Sequence, residues 1–448
     1  WLKSSWLWPP LAAVEPAGPM QSSAGPRFLV ATGSDDGTAR VWSFDEEQVF
    51  CKCVLTDGTN GTEEWTGHCA GITSVSFSQE KECLLTSAKD TEAKIWKLNG
   101  ELQVALPNNP ESGKRKVIVT QERSEAAAKK LVSKPKSASS EAPVHRIKGH
   151  SDYVNMATWS ARQGQAGKYV CTCSDDCSAI LWDANTGKRT ASLPAHGQVG
   201  HTEAVSMATW NNTNFSWERV LTCSNDKTVI IWDVKNESQL RKMGGRGDAN
   251  SAHTQAVWSA RWSTDDSCIL TASKDMTARV WDTESGRCRQ VLKGHEDAVL
   301  TASWNPQSAN QVLTGSLDST AKIWDLREDT SKGATMDLKG HDGCVWSAKY
   351  GNDPRSILTT SHDMTANIYD QRLRLPKHVL EGHTGILWQG NFSPDDQWVV
   401  TTSEDTTARV WNIGTGARQP PSQELRTDTD RHTAAVTCCA FQTGTRWA

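Results

Sequence analysis

The chain has 448 residues, 22% of them charged, with 48 Lys and Arg against 52 Asp and Glu and a formal net charge of −4. A mean hydropathy of −0.55, with no apolar run of membrane-span length, excludes a helical membrane protein on sequence grounds. Length alone would suggest two or three domains, but an internal pattern overrides that expectation.

Residues 1–26 carry Pro9, Pro10, Pro16, Pro19 and Pro26, and the first Met is Met20. They read as an irregular lead-in or an untranslated stretch. Their apolar part, WLWPPLAAV (6–14), is short and broken by proline, so a secretory signal is not expected. From residue 28 onward a Thr-x-x-x-Asp frame, usually with Ser at its third position, recurs eight times, each with an aromatic residue six positions after the Asp. The frames are Thr32/Asp36/Trp42, Thr86/Asp90/Trp96, Thr172/Asp176/Trp182, Thr222/Asp226/Trp232, Thr271/Asp275/Trp281, Thr314/Asp318/Trp324, Thr359/Asp363/Tyr369 and Thr401/Asp405/Trp411. Self-similarity at this period marks a repeat architecture, and such arrays are usually surfaces rather than catalytic pockets.

The clearest unit starts at His295. AVLTASW (298–304), QVLTGS (311–316), TAKIWDL (320–326) and GATMDLK (333–339) read as four short strands rich in Val, Ile, Thr and Trp, with a tight turn at Asp318. A His precedes each unit: His68, His150, His201, His253, His295, His341, His383 and His432. Histidine can donate from one ring nitrogen and accept at the other, and a buried Asp, hydroxyl and indole all need partners. A structural network is therefore expected in each unit, as in His295, Thr314, Asp318 and Trp324, or His383, Asp405 and Trp411. Eight copies argue for a structural role over eight active sites.

With Gly-His near most unit starts and Trp-Asp at Trp182-Asp183, Trp232-Asp233, Trp281-Asp282 and Trp324-Asp325, residues 27–448 resemble the WD-repeat β-propeller family. The resemblance implies an all-β propeller. Tyr369 replaces Trp, the second Asp is lacking at Trp42-Ser43, Trp96-Lys97 and Trp411-Asn412, and His253 and His432 lack the preceding Gly. Seven units are complete. Residues 28–42 hold the second and third strands of another unit, and 432–441 hold its His and first strand. The two ends are expected to meet and close an eight-bladed ring of four-stranded blades, removing exposed sheet edges. Trp447-Ala448 aligns with Trp398-Val399 and begins to duplicate a second strand, so the chain could be a fragment of a longer protein.

Successive aromatic positions lie 42 to 54 residues apart, except Trp96 and Trp182, 86 apart. The excess, within 107–147, is a basic flexible insertion: residues 108–145 hold 8 Lys and Arg against 4 Glu. It reads as a solvated loop, or as a basic arm through Lys114-Arg115-Lys116. Thirteen cysteines include the cluster Cys171, Cys173 and Cys177, but Cys171 and Cys173 align with core strand positions and the spacing is not that of a zinc site. No metal or cofactor is expected. Thiols in a ring of this size suggest a reducing compartment, the cytoplasm or nucleus. Arg246-Gly247-Asp248 reads as a turn.

A propeller binds at the rim of its channel. The residue five after each His reads Thr73, Asn155, Ser206, Trp258, Leu300, Trp346, Trp388 and Thr437 around the ring, so four consecutive units carry large apolar residues. Trp258, Leu300, Trp346 and Trp388 are candidate partner anchors; the alternative is packing between blades, since they share parity with the aromatic ending the strand. Residues before the turn Asp (Asp35, Lys89, Asp175, Asn225, Lys274, Leu317, His362, Glu404) carry mixed charge, which argues against a nucleic-acid track, since that needs one sign. VLTGSLDSTAKIWDLR (312–327) and ILTTSHDMTANIYDQR (357–372) are similar to the box of cullin-4 ligase substrate receptors, in which Arg327 and Arg372 would face the adaptor. The leading expectation is a non-enzymatic protein-protein interaction scaffold, a monomeric ring within a larger assembly; the alternative is a cullin-4 substrate receptor.

Overall fold

The computed structural model describes residues 28–44, 49–55, 68–78, 83–97, 102–106, 149–160, 167–195, 198–212, 218–244, 252–414, 420–425 and 431–442. The lead-in 1–26, the insertion 107–147, Arg246-Gly247-Asp248 and Trp447-Ala448 lie outside them. Among the described residues the chain forms 32 strands in eight four-stranded sheets. No helix there is long and apolar enough to cross a membrane.

Each sheet is an antiparallel meander. In the Trp324 blade the strands are Val299–Asn305, Ser308–Ser316, Ala321–Asp325 and Met336–Leu338. The second begins earlier than the β-branched run suggests, because Asn305 pairs with Ser308 across a two-residue turn. β-Branched residues suit the pleated, buried faces of the second and third strands. The turn between these strands places the residue after the Asp in the left-handed region in all eight blades, from Gly37 (φ 79°) through Met276 (64°) and Met364 (67°) to Thr406 (70°).

First strands pack against first strands of the neighbouring blades all the way round, so the innermost strand of each blade lines a central channel. The apolar core lies between blades. One cluster joins Leu270 and Val280 of the Trp281 blade to Val299, Ala302, Val312 and Trp324 of the next. Full burial of a side chain this large stabilises by about 2–3 kcal/mol, and the repeat delivers one such aromatic per blade.

The split blade is built as expected and gains a strand. Phe28–Ser34, Ala39–Phe44 and Val49–Leu55 come from one end of the sequence, and Val436–Phe441 from the other. Val30 pairs with Phe441 and Thr32 with Cys439. The strand from the far end also packs against Ile72–Phe77 and Leu387–Phe392, completing the ring. Gly33 makes this seam possible: a Cβ there would lie 2.5 Å from Ile72 Cγ2 and 2.7 Å from Cys438 Sγ.

Candidate functional site

The repeated polar residues form one relay per blade. In the Trp324 blade His295 Nδ1 lies 2.7 Å from Asp318 Oδ2, and Nε2 lies 2.7 Å from Thr314 Oγ1. A carboxylate only accepts, so Nδ1 carries the proton, Nε2 accepts from the threonine hydroxyl, and the Trp324 indole donates to Thr314 Oγ1 (2.9 Å). Asp318 also accepts from the Glu296 and Thr320 amides and the Thr320 hydroxyl. Burial works to raise its carboxyl, but these bonds, with His295 foremost, hold it well below the usual range. The same distances recur at His383, Asp405, Thr401 and Trp411.

An Asp–His–hydroxyl relay resembles hydrolytic machinery in outline. Here the hydroxyls of Thr314 and Thr401 are fully buried and already accept from indoles, so this relay cannot present a nucleophile to a substrate. In the Tyr369 blade the phenol donates to the Lys339 carbonyl (3.2 Å), while His341 keeps its bonds to Asp363 and Thr359.

Blades are tied to one another by a second series. The tryptophans ending first strands donate their indole N–H to a carbonyl of the preceding blade: Trp159 to Ser76 (3.0 Å), Trp210 to Thr158 (3.3 Å), Trp262 to Thr209 (3.3 Å) and Trp304 to Arg261 (3.1 Å).

The rim positions share a backbone feature that the sequence pattern does not reveal. In every blade the residue five after the His is skipped by the pairing with the second strand: Thr73, Asn155, Ser206, Trp258, Leu300, Trp346, Trp388 and Thr437 each sit at a β-bulge. A bulge re-aims its extra side chain. On one side of the ring these side chains are polar and reach toward the next blade. Thr437 donates to the Ile72 carbonyl (2.7 Å), Thr73 to Val154 (2.6 Å) and Asn155 to Val205 (3.0 Å).

On the other side they are Trp258, Leu300, Trp346 and Trp388, each half-buried. Trp346 and Trp388 pack together across two blades, ring centroids 5.0 Å apart and tilted by 56°. The two indole nitrogens are buried without a hydrogen-bond partner. Thus these side chains pack between blades on one flank and stay partly open on the other. Met276 and Met364, at the left-handed turn positions on this same face, are 44% exposed. Sequence reasoning missed them; each directly follows a turn Asp, which is the signal that could have found them.

The residues before the turn Asp lie on this face with mixed charge, and Lys89 pairs with Asp35 of the adjacent blade (2.8 Å). Arg327 and Arg372 lie on the opposite face, after the third strands. Each turns back on the aspartate two residues earlier: Arg327 Nε to Asp325 Oδ1 at 2.9 Å, and Arg372 Nε to Asp370 Oδ1 at 2.8 Å. Both side chains are mostly exposed. Cys171 and Cys173 are fully buried strand residues, as their alignment implied, and burial pushes both thiols up.

Eight blades, an indole-anchored polar relay in seven of them and a ring closed by both ends define a repeat propeller. The chain belongs to the WD-repeat family: the pattern described as WD domain, G-beta repeat matches residues 20–43, 61–97, 141–183, 187–233, 249–282, 286–325, 333–370 and 374–412. Among curated proteins it is similar to WD repeat-containing protein 37 of Xenopus laevis, 27% identical over 264 residues, covering 58% of this chain and 46% of that protein. The Homo sapiens protein of the same name is 29% identical over the same shares. Ribosome biogenesis protein WDR12 homolog of Nematostella vectensis is 27% identical over 248 residues, covering 51% of this chain and 58% of that protein. The chain thus spans about half the length of these relatives.

Proposed function

We infer that this ring is a non-enzymatic interaction scaffold that holds an extended peptide segment of a partner protein against the apolar half of its channel mouth. WD-repeat propellers generally act as protein-interaction scaffolds, and this face supplies the means. The observation that carries the reading is the Trp346–Trp388 pair, packed ring to ring across two blades and still half open to the channel mouth. An extended peptide offers apolar side chains to the half-open rings of Trp346 and Trp388, to Trp258 and Leu300, and to the exposed Met276 and Met364. Methionine adapts to irregular apolar surfaces, and tryptophan is enriched where binding energy concentrates. Thirteen free thiols support a reducing setting, cytoplasmic or nuclear.

A quantitative pull-down with mass spectrometry, comparing wild type with the Trp258/Trp346/Trp388→Ala variant, tests this reading. Circular dichroism and elution volume first establish that the variant folds. Specific partners are expected to vanish from the folded variant; an unchanged partner set sinks the rim reading. The second reading, a cullin-4 substrate receptor, rests on Arg327 and Arg372 standing exposed on adjacent blades of the opposite face. It predicts that Arg327→Ala with Arg372→Ala, and not the rim variant, loses the ligase adaptor.

A further inference from the structure

Three residues down the first strand from the bulge, a short polar side chain stitches its blade to the next in three of the eight blades. Thr209 donates to the Ala260 carbonyl (3.5 Å), Ser303 to Ala348 (3.3 Å) and Asn391 to Cys439 (2.7 Å). Arg261 and Lys349 occupy this same position in their blades, and among the described residues neither side chain donates to a backbone carbonyl of the next blade. Lys349 Nζ donates to Asn391 Oδ1 (2.6 Å). The described residues give the Arg261 guanidinium no hydrogen bond or ion pair.

Both cations line one cavity of about 380 Å³, with Ser303, Tyr350, Asn352 and Asn391 among its walls and no carboxylate among the lining residues. The acidic side chain in contact with a lining residue is Asp396, and its oxygens accept from the Asn352 and Asp353 amides. Burial lowers the Lys349 ammonium to about 8, with Cys439 opposing and the Arg261 charge adding to the effect. The Tyr350 hydroxyl is buried and unpartnered.

Two cations thus stand where other blades carry short neutral side chains; Lys349 keeps one bond to the next blade, through Asn391, and no carboxylate lines the cavity to answer either charge. Partly desolvated cations that lack a counter-charge are unfavourable, and a phosphate group answers both, since arginine and lysine together match its oxygens. We propose that this part of the channel is an anion site for the phosphate group of a small soluble molecule, held by Arg261 and Lys349. The cavity is walled by first-strand residues of four neighbouring blades and by the turns after three of them (Pro306, Asn352, Pro394), and its volume favours a compact ligand over an extended chain. The site is separate from the tryptophan rim and stands or falls independently of it.

The test uses the whole purified chain, with pyrophosphate as the probe, sodium chloride at matched ionic strength as the reference and citrate as a carboxylate comparison. Thermal unfolding and titration calorimetry are expected to show saturable stabilisation by pyrophosphate. Arg261→Gln and Lys349→Met should each weaken binding by about tenfold or more, as loss of a charged hydrogen-bonding partner implies. Without the anion, Lys349→Met should unfold at the same temperature as wild type or higher. If a variant misfolds, Lys349→Arg keeps the charge and should keep the response. Absence of any pyrophosphate effect beyond chloride, binding retained in both charge-removing variants, or a response to citrate alone would each overturn the assignment.

Discussion

Thr32 Oγ1 and His432 Nε2 lie 2.8 Å apart although 400 positions separate them in sequence. This is the relay of the split blade, assembled from both ends, with Trp42 donating to the same threonine (2.9 Å). Arg431 adds a carbonyl that accepts from Arg40 (2.9 Å). His432→Ala leaves buried Thr32 and Asp36 short of partners, and should cost about 2 kcal/mol. His295→Ala should cost a similar amount within its own blade. The two separate by hydrogen exchange: His432→Ala should loosen Phe28–Ser34 and Val436–Phe441 together, and His295→Ala only the Trp324 blade. Equal protection of the seam in both variants would show that the relay does not hold the ends together.

Acid should dismantle the relays in a defined order. Burial, opposed by Asp90, Asp275 and Asp36, places His68, His253 and His432 below the ordinary value of 6.5. These imidazoles are neutral in the fold, so their contribution is whole above pH 6.5 and is lost as pH falls through the folded values. Burial tends to raise Asp176 and Asp363, but bonds from His150 with Ser178, and from His341 with Thr365, hold both at about 2 against 3.8. Their contribution is whole above pH 3.8 and is lost on the way to pH 2. The urea midpoint should be flat above pH 7, fall below 6.5 and fall faster below 4. A midpoint that rises between pH 6.5 and 5 contradicts the neutral-imidazole relay.

Tyr350 stands where Trp159, Trp210, Trp262 and Trp304 donate across blades, but its hydroxyl finds no partner. Burial pushes the phenol up. Tyr350→Phe removes an unsatisfied polar atom, and should be neutral or stabilise by up to about 1 kcal/mol. A loss above that in chemical denaturation would mean that the hydroxyl has a partner, a bound water included.

The left-handed turn position favours glycine, and only the split blade has it, at Gly37. Gly37→Val should destabilise by about 1–2 kcal/mol, and by more because its Cβ would lie 2.8 Å from the His68 carbonyl. Met276→Gly relieves the same strain and should stabilise by up to about 1 kcal/mol. Opposite signs in thermal unfolding confirm the turn geometry; a loss of stability in Met276→Gly refutes it.

The eight-bladed ring, its closure and the relay were legible because each rests on residue identity at a fixed spacing. His295, Asp318, Thr314 and Trp324 sit where their chemistry requires. The rim was legible only in part. Strict alternation puts Trp258 and Trp262 on one face of a strand, but the bulge at Trp258 breaks the alternation between them. A bulge is a backbone event, and side-chain pattern carries no direct mark of it. Arg261 and Lys349 were missed for a related reason. A cation on a half-exposed strand looks ordinary until its neighbours are known to be hydroxyls and amides that stitch blades together.

A ring of eight similar blades would present a visitor with eight interchangeable headings. The bulges remove that ambiguity, because hydroxyl and amide side chains fill one semicircle (Thr437, Thr73, Asn155, Ser206) and apolar ones the other (Trp258, Leu300, Trp346, Trp388). The mouth therefore has a compass bearing. A scaffold with such a bearing can hold what it binds in a single rotational setting, and so can hand one face of its guest to a third component at a constant angle.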